Sequence, residues 1–161
     1  MFKDASNTLV NIEGVMYSKI LVPIDGSVHS QNALSVACKL SEKDITKIYL
    51  VHIPEVIDDK EKLIWNVRFF EAEENSNDLY LAGEGFLKEA KNYAKAKGVK
   101  NVETMIKLGK PVSVILEISK QEKVDVIVMG SRGLSDLGGM VAGSVSHKVG
   151  HLAQCSVVTV S

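Results

Sequence analysis

Glycines and serines in the last third of the chain have a spacing that can bind an anion. Gly130 and Gly133 follow an apolar run, and after nine further residues Gly143 and Ser144 come in succession. Glycine lets the backbone approach a ligand closely and turn consecutive N–H groups towards it. A helix beginning at Ser144 would add unpaired N–H groups and the positive end of its dipole. This arrangement favours a phosphate site that needs no lysine.

Side chains of the same segment offer further donors. The hydroxyls of Ser131, Ser144 and Ser146 could bond phosphate oxygens, and Arg132 could approach them from solvent. The glycines could instead serve only a long loop, with Ser144 as a helix cap, because short glycine patterns recur by chance. Neither the Walker A pattern GxxxxGK[ST] nor the dinucleotide fingerprint GxGxxG is present. The residues alone leave both readings open.

Strands and helices alternate along the chain and would position this segment. The predicted strands are residues 19–24, 46–53, 102–108, 124–129 and 156–160. The predicted helices are residues 27–41, 79–97, 111–122 and 144–153. The order βαβαβαβαβ, with apolar strands, predicts an α/β doubly wound, five-stranded parallel sheet covered on both faces. In such sheets a ligand binds beyond the carboxyl ends of the strands, where the winding reverses.

Composition indicates one globular domain. The chain has 161 residues, of which 45% are hydrophobic and 24% charged, in the ordinary range for such domains. Its net charge of −1 argues against nucleic-acid binding. No apolar run reaches the roughly 18 residues of a membrane span. We expect residues 1–16 to be a loose extension, residues 17–161 to form the domain, and residues 55–80 to be a surface excursion.

Cysteines and histidines give weaker signals. Cys38 and Cys155 lie outside any CxxC spacing, which predicts reduced, buried thiols and a cytoplasmic protein. His52 is expected to be a packed residue at a strand end. His147 and His151 lie four residues apart, as two metal ligands on a helix would. No HExxH motif or third ligand accompanies them, so the sequence does not predict a metal site there.

Several segments resemble the universal stress protein family. The spacing Gly130-x-x-Gly133, nine residues, Gly143-Ser144 is similar to the nucleotide-binding pattern of that family, and KILVPIDGS at 19–27 looks like its first strand and turn. The resemblance covers residues 17–160 and is weak only over residues 55–80, although Ser156 stands where the family often has proline. It implies an adenine nucleotide alpha hydrolase-like fold with strand order 3-2-1-4-5 and ATP as ligand.

The resemblance also implies roles for individual residues. Pro23, Ile24 and Asp25 would line the adenosine end, and Ile53 would contact adenine through its backbone. The residues expected at the ribose and phosphates are Met129, Gly130, Ser131, Arg132 and Gly133, and those at the phosphate tail are Gly143, Ser144, Val145 and Ser146. Asp25 either binds ribose, assists a phosphate-bound Mg²⁺ or Mn²⁺, or hydrogen-bonds the turn that follows it.

These residues favour a regulatory module over a dedicated catalyst. No general base is evident beyond Asp25, so we expect slow or partner-dependent ATP hydrolysis. The resemblance further implies a homodimer through residues 156–161 and a regulatory protein partner of unknown identity. The alternative is a nucleotide-independent homodimeric interaction protein, although relatives that lack ATP binding usually lose glycines retained here. A pyrophosphate-releasing enzyme of similar fold would carry SGGxDS, which PIDGS does not match.

Overall fold

The computed structural model describes residues 17–54, 76–133 and 143–161. Within these ranges the strands are β1 (Lys19–Pro23), β2 (Lys47–His52), β3 (Asn101–Ile106), β4 (Val126–Gly130) and β5 (Ser156–Val160). The helices are α1 (Val28–Leu40), α2 (Ser76–Ala96), α3 (Pro111–Gln121) and α4 (Ser144–Leu152). Strands and helices alternate as predicted.

All five strands are parallel, in the order β3-β2-β1-β4-β5, which confirms the expected topology. β1 is central and pairs with β2 along its whole length. Its pairing with β4 covers only Ile20 with Val126 and Leu21 with Ile127. The carboxyl ends of β1 and β4 therefore part at the point where the winding reverses, and this is where a cleft forms.

Helices cover both faces of the sheet because successive strand side chains point to opposite sides. On one face, Ile20, Val22 and Val128 belong to an apolar cluster with residues of α1 and α2. On the other face, Leu21 and Ile127 belong to a second cluster with residues of α3 and α4. The central strands are thus buried on both sides, as their continuous apolar runs predicted.

Element ends differ from the predictions by a few residues. α2 begins at Ser76, three residues before its predicted start. β4 begins at Val126 and not at residue 124. Just before β4, the Asp125 carboxylate accepts hydrogen bonds from the backbone N–H groups of Ser18 and Lys19, at 2.7 and 2.8 Å. This side chain anchors the start of β1 and satisfies its amides.

Some predictions concern the remainder of the chain. The expected extension at residues 1–16 and most of the excursion at residues 55–80 lie outside the described residues. Cys38 and Cys155 are free thiols; Cys38 is buried and Cys155 is half-buried. Among the described helices, none combines the length and the apolar character that crossing a membrane requires.

Candidate functional site

A cleft opens at the carboxyl ends of β1, β2 and β4. The space between its walls is about 780 Å³, a figure that includes the open mouth. Its lining residues are Pro23, Ile24, Asp25, Ser30, Val51, Ile53, Pro111, Ile115, Met129, Gly130, Arg132, Gly133, Gly143, Ser144, Val145 and Ser146. Every predicted site residue except Ser131 is in this set.

Apolar side chains form the wall over β1 and β2. Ile24 follows β1 and Ile53 follows β2, and Ile115 from α3 closes the same region. The Ile24 N–H donates to the carbonyl of Val51 at 2.8 Å, which continues the β1–β2 pairing past the end of β1. The backbone at the cleft wall is therefore held rigidly by the sheet. A flat, weakly polar ring fits such a surface.

The buried side chain of His52 contacts the backbone of this wall at Ile24. Its Nδ1 lies 2.7 Å from the carbonyl oxygen of Ile24 and its side chain is buried. Because a carbonyl only accepts, the ring must carry its proton on Nδ1 in this contact. His52 also packs against the ring of Phe86 in α2, with centroids 5.7 Å apart. The expected packed histidine is confirmed, and it connects α2 to the wall of the cleft.

Asp25 faces two ways at the turn after β1. Its Oδ1 accepts the N–H of Ser27 at 2.9 Å, so the expected role in the turn is present. Its Oδ2 lies 3.4 Å from the place that a Cβ on Gly133 would occupy. The carboxylate thus faces the glycine-rich segment across the cleft, and the missing side chain of Gly133 leaves room beside it.

The amino end of α4 presents backbone donors to the cleft. Gly143 is its N-cap residue, and no side chain of the described residues caps it. The first backbone hydrogen bond of the helix runs from the N–H of His147 to the carbonyl of Gly143, at 3.0 Å. The three preceding amides, at 144–146, therefore have no acceptor within the helix. They add to the positive end of the helix dipole and can bind an anion.

The start of α1, beside the same cleft, has a side-chain cap from Ser27. The Ser27 side chain accepts the N–H of Ser30 at 3.1 Å, and the Ser30 hydroxyl donates to the Ser27 carbonyl at 2.9 Å. The N–H and hydroxyl donors of Ser30 at the start of α1 are therefore already bonded to Ser27. Among the described residues α4 has no such side-chain cap, and α3, which is also uncapped, begins at the cleft with Pro111, which has no N–H to offer. α4 is therefore the better candidate for binding an anion.

Two of the three serines expected to donate to phosphate are used within the protein. The Ser146 hydroxyl lies 2.8 Å from the Ser131 carbonyl and 3.1 Å from the Gly143 carbonyl, and its single hydrogen serves one of them. The Ser131 hydroxyl donates to that of Ser161 at 3.3 Å. This leaves Ser144, exposed beside the cleft, as the predicted serine that can donate to a ligand.

Gly130 permits a close approach between β4 and α1. A Cβ at this position would lie 2.8 Å from the Cβ of His29 and 3.0 Å from its carbonyl carbon. Any side chain would push the start of α1 away from the end of β4. The glycine therefore has a packing role in addition to its place in the cleft wall.

Ionisable side chains are few in the lining. Asp25 is its one carboxylate and Arg132 its one cation; histidine, cysteine and lysine are absent from the lining formed by the described residues. Asp25 already accepts a hydrogen bond from the Ser27 N–H. The arrangement suits binding of an anionic ligand by backbone amides and one guanidinium better than it suits acid–base catalysis.

Four lining residues were not predicted from the sequence: Ser30, Val51, Pro111 and Ile115. Pro111 carried a usable signal, because a proline at the first position of a helix that follows a strand marks a helix start at the same edge of the sheet. Ile115 lies one turn further along and faces the same way. Val51 and Ser30 gave no signal that distinguishes them from other buried residues.

Comparisons with known proteins identify relatives along nearly the whole chain. The sequence model of the universal stress protein family matches residues 16–161. Universal stress protein YxiE of Bacillus subtilis (strain 168) is 38% identical over 148 residues, covering 90% of this chain and 99% of the relative. Universal stress protein MJ0531 of Methanocaldococcus jannaschii is 30% identical over 157 residues, covering 96% of this chain and 88% of the relative.

Solved structures give the same answer for the fold. The structure of MJ0577, solved as a test case of structural genomics, superposes with a TM-score of 0.74 at 31% identity, over 91% of this chain and 96% of that one. A universal stress protein in complex with cAMP superposes with a TM-score of 0.64 at 26% identity, over 89% and 96% of the two chains.

Proposed function

The chain belongs to the universal stress protein family, and on that premise we propose that its cleft binds ATP. The observation that carries the proposal is the start of α4, whose uncapped amides lie in the lining of the cleft together with the apolar wall. The related structure in complex with cAMP supports an adenine nucleotide as the class of ligand.

The residues present fit such a ligand. Adenine would pack on the apolar wall near Ile24 and Ile53, where the backbone of Ile53 can hydrogen-bond its edge, and the ribose would lie over the end of β4. The phosphates would bind the amides at the start of α4, with Ser144 and Arg132 as side-chain donors. The sheet order supports this orientation, because β2, β1 and β4 are consecutive and place the apolar wall and the glycines at opposite ends.

A divalent cation is a further part of the proposal. Mg²⁺ is usually bound by one or two carboxylates together with substrate phosphates. Asp25 has one oxygen bonded to the Ser27 N–H and the other directed towards Gly133, so that oxygen is available on the phosphate side. Mg²⁺ or Mn²⁺ would supply charge neutralisation to the phosphates. Binding of the ribose by the same carboxylate is the competing assignment.

We propose that the protein is a nucleotide-dependent regulatory module in the cytoplasm. The lining offers no second carboxylate and no histidine among the described residues, so hydrolysis would be slow unless a partner supplies the missing group. The two free cysteines support a reducing compartment. Occupancy by ATP would change the surface above Gly133 and Gly143 and so control the docking of a protein partner.

A homodimer through β5 completes the proposal. Within the part of the chain that the structure describes, β5 pairs with β4 on one side only, and an edge strand with a free side is prone to pair with another chain. Sedimentation velocity should give about twice the 17.5 kDa mass of one chain. A single species at 17.5 kDa up to high concentration would contradict this part. A dimer without nucleotide binding would favour the alternative, a nucleotide-independent interaction protein.

Isothermal titration of the full chain with ATP tests the central part of the proposal. We expect one ATP bound per chain and no detectable turnover on the timescale of the titration. Absence of heat at millimolar ATP, together with absence of adenine nucleotide released on denaturing the purified protein, would overturn nucleotide binding. Rapid release of phosphate by the pure protein would instead overturn the regulatory interpretation and leave binding intact.

A further inference from the structure

His147 and His151 lie on successive turns of α4 with both side chains exposed. Their Nε2 atoms are 3.3 Å apart. The ring centroids are 4.5 Å apart and the ring planes are inclined by 66°. Because each lone pair lies in the plane of its ring, inclined rings with adjacent nitrogens can direct both lone pairs to one point outside the helix.

The distance between these nitrogens matches the bite of a tetrahedral metal ion. Two imidazole nitrogens at about 2.05 Å from Zn²⁺, with a tetrahedral angle between them, are separated by about 3.3–3.4 Å. The observed 3.3 Å is within that range, whereas a right-angled geometry would need about 2.9 Å. The separation of the two nitrogens therefore suits chelation of one tetrahedral ion.

We propose that His147 and His151 chelate one Zn²⁺ or a similar borderline transition-metal ion through their Nε2 atoms. Imidazole is a preferred ligand of Zn²⁺, Ni²⁺ and Cu²⁺. Among the described residues no third histidine, cysteine or carboxylate joins the pair, so water or a second molecule completes the coordination. The site lies on the exposed face of α4 and does not depend on nucleotide binding.

The contact between the two rings involves the same nitrogens that would bind the ion. Without metal, a hydrogen bond between the two Nε2 atoms requires one ring to carry its proton on Nε2 and the other to accept it. Metal binding needs both rings neutral and protonated on Nδ1.

The position of the pair gives the ion a structural effect. A bound ion would link the first turn of α4 to its second turn. The first turn carries the amides that line the cleft, and Ser146 precedes His147 directly. A ligand that binds only the folded state stabilises it by RT ln(1 + [L]/Kd), which increases with the ligand concentration. Zn²⁺ should therefore stabilise the start of α4.

Titration of the full chain with ZnCl₂, prepared without a histidine tag, tests this site. We expect one Zn²⁺ per chain in wild type and a rise in melting temperature. His147→Gln and His151→Gln should each weaken binding at least about tenfold, the lower bound for mutating even an outer-shell partner. Lys148→Gln, at the exposed position between them, is the matched control and should bind as wild type does.

Two results would overturn the proposal. The first is absence of saturable Zn²⁺ binding to the folded wild-type chain. The second is unchanged affinity in the double variant His147→Gln/His151→Gln, which would place the ion on other groups, such as the thiols of Cys38 and Cys155. Circular dichroism of each variant shows that it is folded, and ATP titration in a metal-free buffer keeps this result separate from that for the cleft.

Discussion

The Ser146 hydroxyl lies 2.8 Å from the backbone carbonyl of Ser131, fifteen positions earlier in the chain. The same carbonyl accepts the N–H of Gly143 at 2.7 Å. The N–H of Ser131 donates in turn to the carbonyl of Val160 at the end of β5, also at 2.7 Å. Ser131 therefore joins the ends of β4 and β5 to the start of α4, and it sets where the uncapped amides of α4 lie.

Loss of this bond should weaken the fold. In Ser146→Ala the buried hydroxyl is removed, and we expect the free energy of unfolding to fall by about 1 kcal/mol, the usual value of one hydrogen bond. Ser144→Ala, two residues earlier and exposed, should change it by less than about 0.5 kcal/mol. Urea unfolding of both variants measures the difference. Equal losses would show that the bond to Ser131 contributes nothing.

Close packing at Gly130 predicts that glycine-to-alanine substitutions at two positions change the stability in opposite directions. In Gly130→Ala the added Cβ would meet the Cβ of His29 at 2.8 Å, and overpacking of this kind costs about 1–3 kcal/mol. In Gly85→Ala, on the exposed side of α2, the Cβ meets nothing within 4 Å and should stabilise by about 0.5–1 kcal/mol. Thermal unfolding should separate the two variants clearly. A neutral Gly130→Ala would contradict the packing role.

Asp25→Asn distinguishes the roles proposed for that carboxylate. The amide oxygen of asparagine can still accept the Ser27 N–H, so the free energy of unfolding should change by less than about 0.5 kcal/mol. If the carboxylate assists a cation, Mg²⁺ should strengthen ATP binding in wild type and the variant should lose that gain. Titration with ATP in EDTA and in Mg²⁺ measures it. A gain that persists in the variant would assign the carboxylate to the ribose or to the turn alone.

Cysteine reactivity follows from burial. Burial raises the pKa of the Cys38 thiol, with Lys97 acting weakly in the opposite direction, and burial also raises the pKa of Cys155. A raised pKa lowers the thiolate fraction at neutral pH, so alkylation should accelerate only above the pH range of an ordinary cysteine. At pH 7 native Cys38 should react with iodoacetamide at least about tenfold more slowly than in urea, and more slowly than half-buried Cys155. Mass spectrometry of labelled peptides gives both rates.

The sheet could be predicted from the sequence because its signals are local. Apolar runs such as residues 19–24, each followed by a helical pattern, determine a parallel sheet with few possible topologies. Ends of elements were less certain because they depend on contacts between distant residues. Asp125 is the example: its carboxylate bonds amides more than a hundred positions away, and nothing near it in the sequence indicates that contact.

The same distinction applies to the cleft. The place of Gly133 and Gly143 in the lining could be predicted because one follows β4 and the other begins α4, at the same edge of the sheet. The roles of the serines could not, because a hydroxyl donates either to a ligand or to a neighbouring carbonyl according to the path of the loop. The path of the loop places the Ser146 hydroxyl 2.8 Å from the carbonyl of Ser131. Ile115 joins the lining only through the packing of α3 on the sheet.

The most direct test of the account compares ATP affinity in Gly133→Asp and Gly133→Asn. The two side chains have the same size, and a Cβ at this position lies in ordinary contact with Asp25, at 3.4 Å from Oδ2. Only the aspartate adds a charge near the proposed phosphates, and two like charges 4 Å apart near a protein surface repel by about 4 kcal/mol. We predict that ATP binds at least about tenfold more weakly to Gly133→Asp than to Gly133→Asn, a difference of about 1.4 kcal/mol. Equal affinity in the two folded variants would show that the phosphates do not lie between Gly133 and the start of α4.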